Sequence, residues 1–363
     1  MVEILKIICL GLILLNTPTF GLYAFGDTIG GLFSLLVFGL PIVYGVLAKR
    51  LLVSKIFLLI GLSYYLVSGI QFYHGDEKFY VNDLIKFLTL IVFGGELVRN
   101  TTKTELFVFL LIGASSIIVN AIFFADNFGR YSGLYLDPNA AGFICISGYG
   151  LTYGLNKGNL RLFGQFLFSL AGFMTFSRTF IILWVLLNIM SLKLSLKNLK
   201  VMFIGIAVVI LLISFSEALQ LNSVRLNQLK ALVTNEKVST RELNEGSRTE
   251  TWATFYKYVY DKPLFGNGYG SFQTNGLNRV GPHNTFLLVL GEAGIFVLFI
   301  FLGFYLYILF KSTLLFSIKP HLLMMSVGLV LFLLTNHNYF TAYYLILISI
   351  WTYWQLKITA YED

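Results

Sequence analysis

Apolar runs of about 15 to 25 residues recur along the chain, separated by short polar connections and one long polar segment. The runs lie near 4–24, 28–47, 56–72, 84–98, 105–124, 139–155, 160–176, 178–192, 201–216, 284–310, 321–335 and 340–355. They are continuous, without the every-second-residue alternation of a barrel strand. Runs of this kind predict helices that can cross a hydrocarbon layer roughly 30 Å thick. The pattern therefore predicts an all-α polytopic transmembrane bundle of about 12 spans, forming a single integral membrane domain over 1–363. The polar segment 217–283 falls between the ninth and tenth runs and is the place where amphipathic helices are expected.

Composition agrees with this pattern and adds a topology. Hydrophobic residues make up 57% of the chain and charged residues 12%, far from the balance of a soluble domain. The net charge of +8 is not a nucleic-acid footprint, because the basic residues sort by loop. Alternate connections carry Lys49, Arg50 and Lys55; Arg99 and Lys103; Lys157 and Arg161; Lys193, Lys197 and Lys200; Lys311 and Lys319. The intervening connections hold Lys78, Arg130 and Arg178, with Lys86 just inside a run. Basic residues favour cytoplasmic loops, so the N and C termini are expected to be cytoplasmic and 217–283 external. No small-x-small cleavage site follows the first run, which is expected to stay as an anchor. Cys9 and Cys145 both fall inside apolar runs, which argues against a disulfide framework.

With lipid-facing sequence set aside, candidate chemistry gathers in and around the long segment. Ser247-Arg248-Thr249-Glu250 has the spacing of a capping box and predicts a helix start. Trp252, Phe255, Tyr256 and Val259 follow at i, i+3, i+4 and i+7, an amphipathic stripe, and Pro263 ends the helix. Arg248 lies on the face of Trp252, in a first turn where a cation opposes the helix dipole. It either snorkels from an interfacial helix or holds an anion, for which a guanidinium beside free backbone N–H groups suits a diphosphate. The tripeptide recurs as Ser177-Arg178-Thr179 in a short connection, where Ser177 can cap the next helix. Two such arginines can grip one diphosphate from two directions.

Pro282-His283-Asn284 opens the tenth run. Proline suits a first helical turn, which sets the imidazole at the outer end of that span, where the dipole favours the neutral, base-competent ring. The competing reading is a histidine that merely caps a helix. Glu292, nine residues deeper and about half a turn away, is expected to anchor packing, since intramembrane acids are costly. Between these elements, Pro263 to Phe272 contains Gly266, Gly268 and Gly270, a tight irregular loop without the lysine of a nucleotide loop. Asp137-Pro138-Asn139 reads as the capped start of the sixth run, with Arg130 upstream adding positive potential. His74, Asp76 and Glu77 lack metal-ligand spacing, so no metal or other cofactor is expected. His337, within Asn336-His337-Asn338, is the rival base; His321 falls on the cytoplasmic side.

Read in order, these motifs resemble the bacterial O-antigen polymerase and O-antigen ligase superfamily. The resemblance covers roughly 130–300 and runs through Asp137-Pro138-Asn139, Ser177-Arg178, Arg248 with Trp252, Pro263 to Gly270, His283-Asn284 and Glu292-Ala293-Gly294. It implies a metal-independent glycosyltransferase on the outer face of a bacterial inner or plasma membrane. Such an enzyme moves a glycan from an undecaprenyl diphosphate carrier to an acceptor hydroxyl, with inversion at the anomeric carbon. Arg178 and Arg248 would stabilise the leaving diphosphate and His283 would take the acceptor proton. Arg130, Asn284, Tyr269 and Trp252 are candidate diphosphate or glycan contacts, and Asp137, Asn139 and Glu292 structural supports. The expected partners are lipid-linked glycan donor and acceptor, the bilayer and a chain-length regulator.

Polymerase and ligase share this chemistry, one extending O-antigen, capsular or exopolysaccharide and the other loading a lipid-A core of lipopolysaccharide. The polymerase is preferred as the commoner and more diverse type. A lipid-linked oligosaccharide flippase is the alternative from another class, but no internal halves are visible and the ionisable residues gather at one face.

Overall fold

The computed structural model describes residues 1–48, 53–73, 77–125, 129–216 and 248–359. The described residues form an all-helical protein of fourteen α-helices and two short 3-10 turns. Residues 49–52, 74–76 and 217–247, the last with the expected cap Ser247, lie outside them.

Each of the twelve apolar runs corresponds to helix, with the first divided and the tenth interrupted by a kink. The first run becomes α1 (Val2–Leu14) and α2 (Thr17–Phe25), bent by 65°. Asn16 between them takes a left-handed conformation, φ 53°. Pro18 follows in the first turn of α2, where it has no N–H to continue a ladder from α1. Next come α3 (Asp27–Leu47), α4 (Lys55–Ser68), α5 (Glu77–Arg99) and α6 (Lys103–Phe123). After these run α7 (Pro138–Thr152), α8 (Asn159–Met174), α9 (Arg178–Leu192) and α10 (Leu199–Ser214). The polar segment contributes α11 (Arg248–Asp261), and the chain ends with α12 (Thr285–Leu314), α13 (Pro320–Leu333) and α14 (Tyr343–Thr359).

Among the described residues, four helices are long and apolar enough to cross a membrane: α3, α6, α12 and Leu196–Ser214, which includes α10. The bent α1–α2 pair makes a fifth if it counts as one span. α4, α9 and α13 are apolar but only 14 or 15 residues long, roughly 21 Å at the α-helical rise. Several membrane-capable helices are thus present, whereas a count near twelve does not follow from helix length.

α7 is the centre of the packing. Every residue from Ala140 to Thr152 is buried, and small residues let its neighbours approach, as in other helix bundles in lipid. A Cβ on Gly148 would lie 2.3 Å from the Phe168 ring of α8, and one on Gly142 would lie 3.1 Å from Phe180 Cβ of α9. The two ends of the bundle differ in chemistry. Lys103, at the start of α6, donates to Gly154 O just beyond α7, and Lys6 pairs with Glu3 and Glu105. At the other end of α6, Asn120 Oδ1 accepts from Ser132 N and Gly133 N, which sets the 129–137 connection beside the start of α7.

α12 is interrupted rather than continuous. Gly294 has φ 80° and ψ −177°, a conformation open essentially to glycine alone. The groups freed by the break are taken up by the glycine-rich loop. Asn267 N donates to Gly291 O at 2.7 Å, Gly268 N to Glu292 O at 3.1 Å, and Ile295 N to Pro263 O at 2.9 Å. The close approach needs glycine on both sides: a Cβ on Gly294 would sit 2.0 Å from Leu264 O, and one on Gly266 would sit 2.4 Å from Glu292 C. Glu292 itself is fully buried; it accepts from Tyr64 Oη of α4 and from Phe272 N at 3.0 Å. The loop is therefore locked between α4 and α12, and Glu292 anchors it.

Candidate active site

Three connections at one end of the bundle supply the candidate residues. The first is the start of α7. Asp137 Oδ1 accepts from Ala140 N at 2.7 Å, the N-cap expected of an aspartate followed by proline. The second is the start of α9, where Ser177 Oγ accepts from Phe180 N and donates to Asn139 Oδ1 at 3.0 Å. That bond ties the N-termini of α7 and α9 together and sets Arg178 in the first turn of α9. Arg130 is held to the same corner through Nε, which donates to Thr175 O at 3.3 Å.

The third connection brings α11 and His283. Arg248 begins α11 and lies within electrostatic range of Asp137, Arg178 and Arg130. His283 in turn lies within range of Arg248 and Asp137. Three guanidinium groups thus lie within range of one another, two of them also within range of one carboxylate, and that carboxylate already spends an oxygen on a cap. Arg248 Nη1 is buried without a hydrogen-bond partner, and so is Trp252 Nε1 on the same helix face. Unpaired buried donors are costly, and the N-terminal dipoles of α7 and α9 add to the positive field. The arrangement suits a ligand carrying several negative charges, with donors aimed at it.

Local electrostatics shape the imidazole. Burial and the Arg248 cation lower the His283 pKa, and Asp137 opposes them. The ring is therefore neutral at pH 7 and can accept a proton. His337 packs edge-on against it, ring centroids 5.1 Å apart, and burial followed by His283 lowers its pKa to about 4. Burial also lowers the pKa of Arg248 and of Arg130, in both cases against the pull of Asp137; both remain cations.

Several expectations change in detail. Helix α12 starts at Thr285 with Asn284 as its N-cap, accepting from Leu287 N at 3.1 Å. Pro282 and His283 therefore precede the helix rather than forming its first turn, because the asparagine side chain captures the cap position. His283 takes a left-handed conformation, φ 47°, which histidine tolerates better than most residues. Asn284 is buried and spends its side-chain oxygen on the cap. On α11, Tyr256 is exposed, while Phe255 is fully buried against Phe272 with ring centroids 4.8 Å apart. The packed stripe therefore follows buried Phe255 with half-buried Trp252 and Val259.

The arginines, Asp137 and His283 come together, with Trp252 beside Arg248. Tyr269 is held by other bonds, its hydroxyl donating to Asp83 at 2.6 Å and its N–H to Ser68 O at 2.9 Å, and it lines a small pocket together with His337. Asn139 and Glu292 act through Ser177 and the glycine-rich loop. Two features escaped the sequence reading. Asp137 is a charge partner of the cluster as well as a cap, and His337 is a neighbour of His283 rather than only its rival. The break in apolar sequence at Asn336-His337-Asn338 was the available signal for the second.

Residues 163–302 match the family model described as O-antigen ligase; no curated protein matches the chain. The matched segment runs from α8 into α12 and carries Arg178, Arg248 and His283. Members of that family are glycosyltransferase-like ligases and polymerases. This match over about two fifths of the chain, together with the apolar, membrane-capable helices, makes the chain similar to membrane proteins of the O-antigen ligase and polymerase superfamily.

Proposed function

We propose that this protein polymerises undecaprenyl-diphosphate-linked oligosaccharide repeat units on the outer face of a bacterial inner or plasma membrane. The observation that carries the reading is the cluster itself: Arg130, Arg248 and His283, remote from one another in the chain, lie within electrostatic range of Asp137, and Arg178 lies within range of Arg130 and Arg248. Arg178 and Arg248 hold the diphosphate, with Arg130 behind them. The acceptor hydroxyl oxygen attacks the anomeric carbon of the donor as the bond from that carbon to the diphosphate oxygen breaks. The hydroxyl proton passes to His283, and undecaprenyl diphosphate leaves with its new charge held by the guanidinium groups. The attack opposite the leaving group inverts the anomeric carbon. Charge stabilisation by arginines makes a metal unnecessary to this scheme.

The topology that goes with it has about twelve spans, cytoplasmic termini and 217–283 outside, and a chain-length regulator is a natural partner. The matching family's description as O-antigen ligase favours a second reading, transfer of the finished glycan to a lipid-A core. The deciding experiment supplies purified protein in detergent with lipid-linked repeat units alone, then with lipid-A core added. Growth into a ladder of lipid-linked oligomers without core supports polymerisation. Product only when core is present overturns it in favour of ligation, and ion-gradient-dependent movement of intact lipid-linked glycan without bond formation overturns both.

A further inference from the structure

A second space adjoins the arginine–histidine cluster. A cavity of about 650 Å³ opens between the bent α1–α2 pair, the start of α3, Lys86 of α5 and the turn from α13 to α14. That volume is in the range of sites for drug-sized ligands, which is also the size of a short oligosaccharide. Its charges are Lys86 against Asp27 and Asp137, a balance that does not attract a diphosphate. Its neutral lining is rich in side chains that both donate and accept, namely Ser34, Asn336, Asn338 and Thr341, beside the rings of Tyr343 and Tyr344. Planar amides, hydroxyls and tyrosine surface together match the alternating hydroxyl and C–H faces of a sugar.

The cavity shares two walls with the cluster. Asp137 lines it and is also the carboxylate that acts on Arg248 and His283. Asn336 and Asn338 line it on either side of His337, whose ring lies against His283. Thr285 Oγ1 donates to Asn336 O at 2.7 Å, which fixes this turn to the start of α12.

From this arrangement we infer that the cavity is the acceptor-saccharide site, which holds the sugars of the incoming glycan with one hydroxyl directed at His283. The inference rests on the glycosyl-transfer reading above and adds where the second substrate sits. Two sources can present the same chemistry, a lipid-linked repeat unit or a lipid-A core oligosaccharide.

The test separates occupancy from turnover. A Ser34→Cys variant of the full chain sets one reactive thiol on the cavity wall, since Cys9 and Cys145 are buried. Its modification by a maleimide is followed with three probes: repeat-unit oligosaccharide freed from its lipid diphosphate by mild acid, core oligosaccharide, and undecaprenyl diphosphate. Slowing by either oligosaccharide supports the site and names the source. Slowing by undecaprenyl diphosphate alone, or by none of the three, overturns it. In parallel, Asn338→Ala and Lys86→Ala should raise KM for acceptor by about tenfold, the scale of one or two lost hydrogen bonds, with KM for donor unchanged. A rise in donor KM instead assigns the cavity to the donor and overturns the inference. Should the wild-type protein transfer no glycan while oligosaccharide still protects the thiol, the enzymatic reading fails and the saccharide site stands.

Discussion

At the scale of single residues, the proposed mechanism depends on a neutral imidazole beside unpaired guanidinium donors. Loss of the base in His283→Ala should lower transfer by about 10²- to 10⁴-fold, measured as oligomer formation at equal protein level. Arg248→Lys should be nearly as damaging despite keeping the charge, because an ammonium cannot reproduce a planar two-pronged donor; near-normal turnover would return Arg248 to a snorkelling role. The pH profile carries a sign. His283 works deprotonated, and burial with Arg248 holds its pKa below the ordinary histidine value of 6.5. Activity should therefore be retained as pH falls through 6.5 and be lost only below it. Replacing Arg248 with glutamine removes the second of the two lowering influences, and the acid limb of its residual activity should move up in pH. The sequence made Arg178, Arg248 and His283 visible because each sits at a helix start marked by a cap or a proline. It hid the left-handed His283 and the charge role of Asp137, since a capping aspartate looks complete by itself.

At the scale of elements, the interrupted α12 is the part that holds the cluster's support in place. The loop 263–273 supplies the hydrogen bonds that the break at Gly294 withdraws from the helix, and Glu292 fastens that loop to α4. Gly294→Ala should destabilise the protein by at least about 1–3 kcal/mol from backbone strain alone, read as a lower melting temperature in detergent. Glu292→Ala should do likewise by leaving Phe272 N and Tyr64 Oη without their acceptor, while Glu292→Gln, which keeps an acceptor oxygen, should lose less. An unchanged melting temperature for Glu292→Ala would remove its anchoring role. Three glycines in five residues announced a shaped loop. Its docking partner was not legible, because the carbonyls it satisfies belong to a run that reads as one continuous helix. The same blindness affected the first run, where Asn16 and Pro18 divide what hydropathy joins.

At the scale of the whole molecule, hydropathy identified every helical region of the described residues except α11, which its capping spacing and amphipathic stripe marked instead. It overstated what length permits, since α4, α9 and α13 are too short to span an average bilayer upright. The twelve-span proposal is tested by single cysteines introduced into the polar turns and labelled from one side of sealed vesicles. Label on Asn338→Cys and Lys157→Cys from the same side would overturn it, because the proposal sets those positions on opposite faces.

The His283–His337 contact joins a residue on the approach to α12 to one that follows α13. Synthesis proceeds from the N-terminus, so Arg130, Arg178, Arg248 and His283 have all been made before the second ring of that pair exists. Nascent chains interrupted ahead of it can insert and thread their earlier helices, yet they lack the ring that packs against His283. The architecture thereby delays completion of the proposed site until the segment that follows α13 has been made.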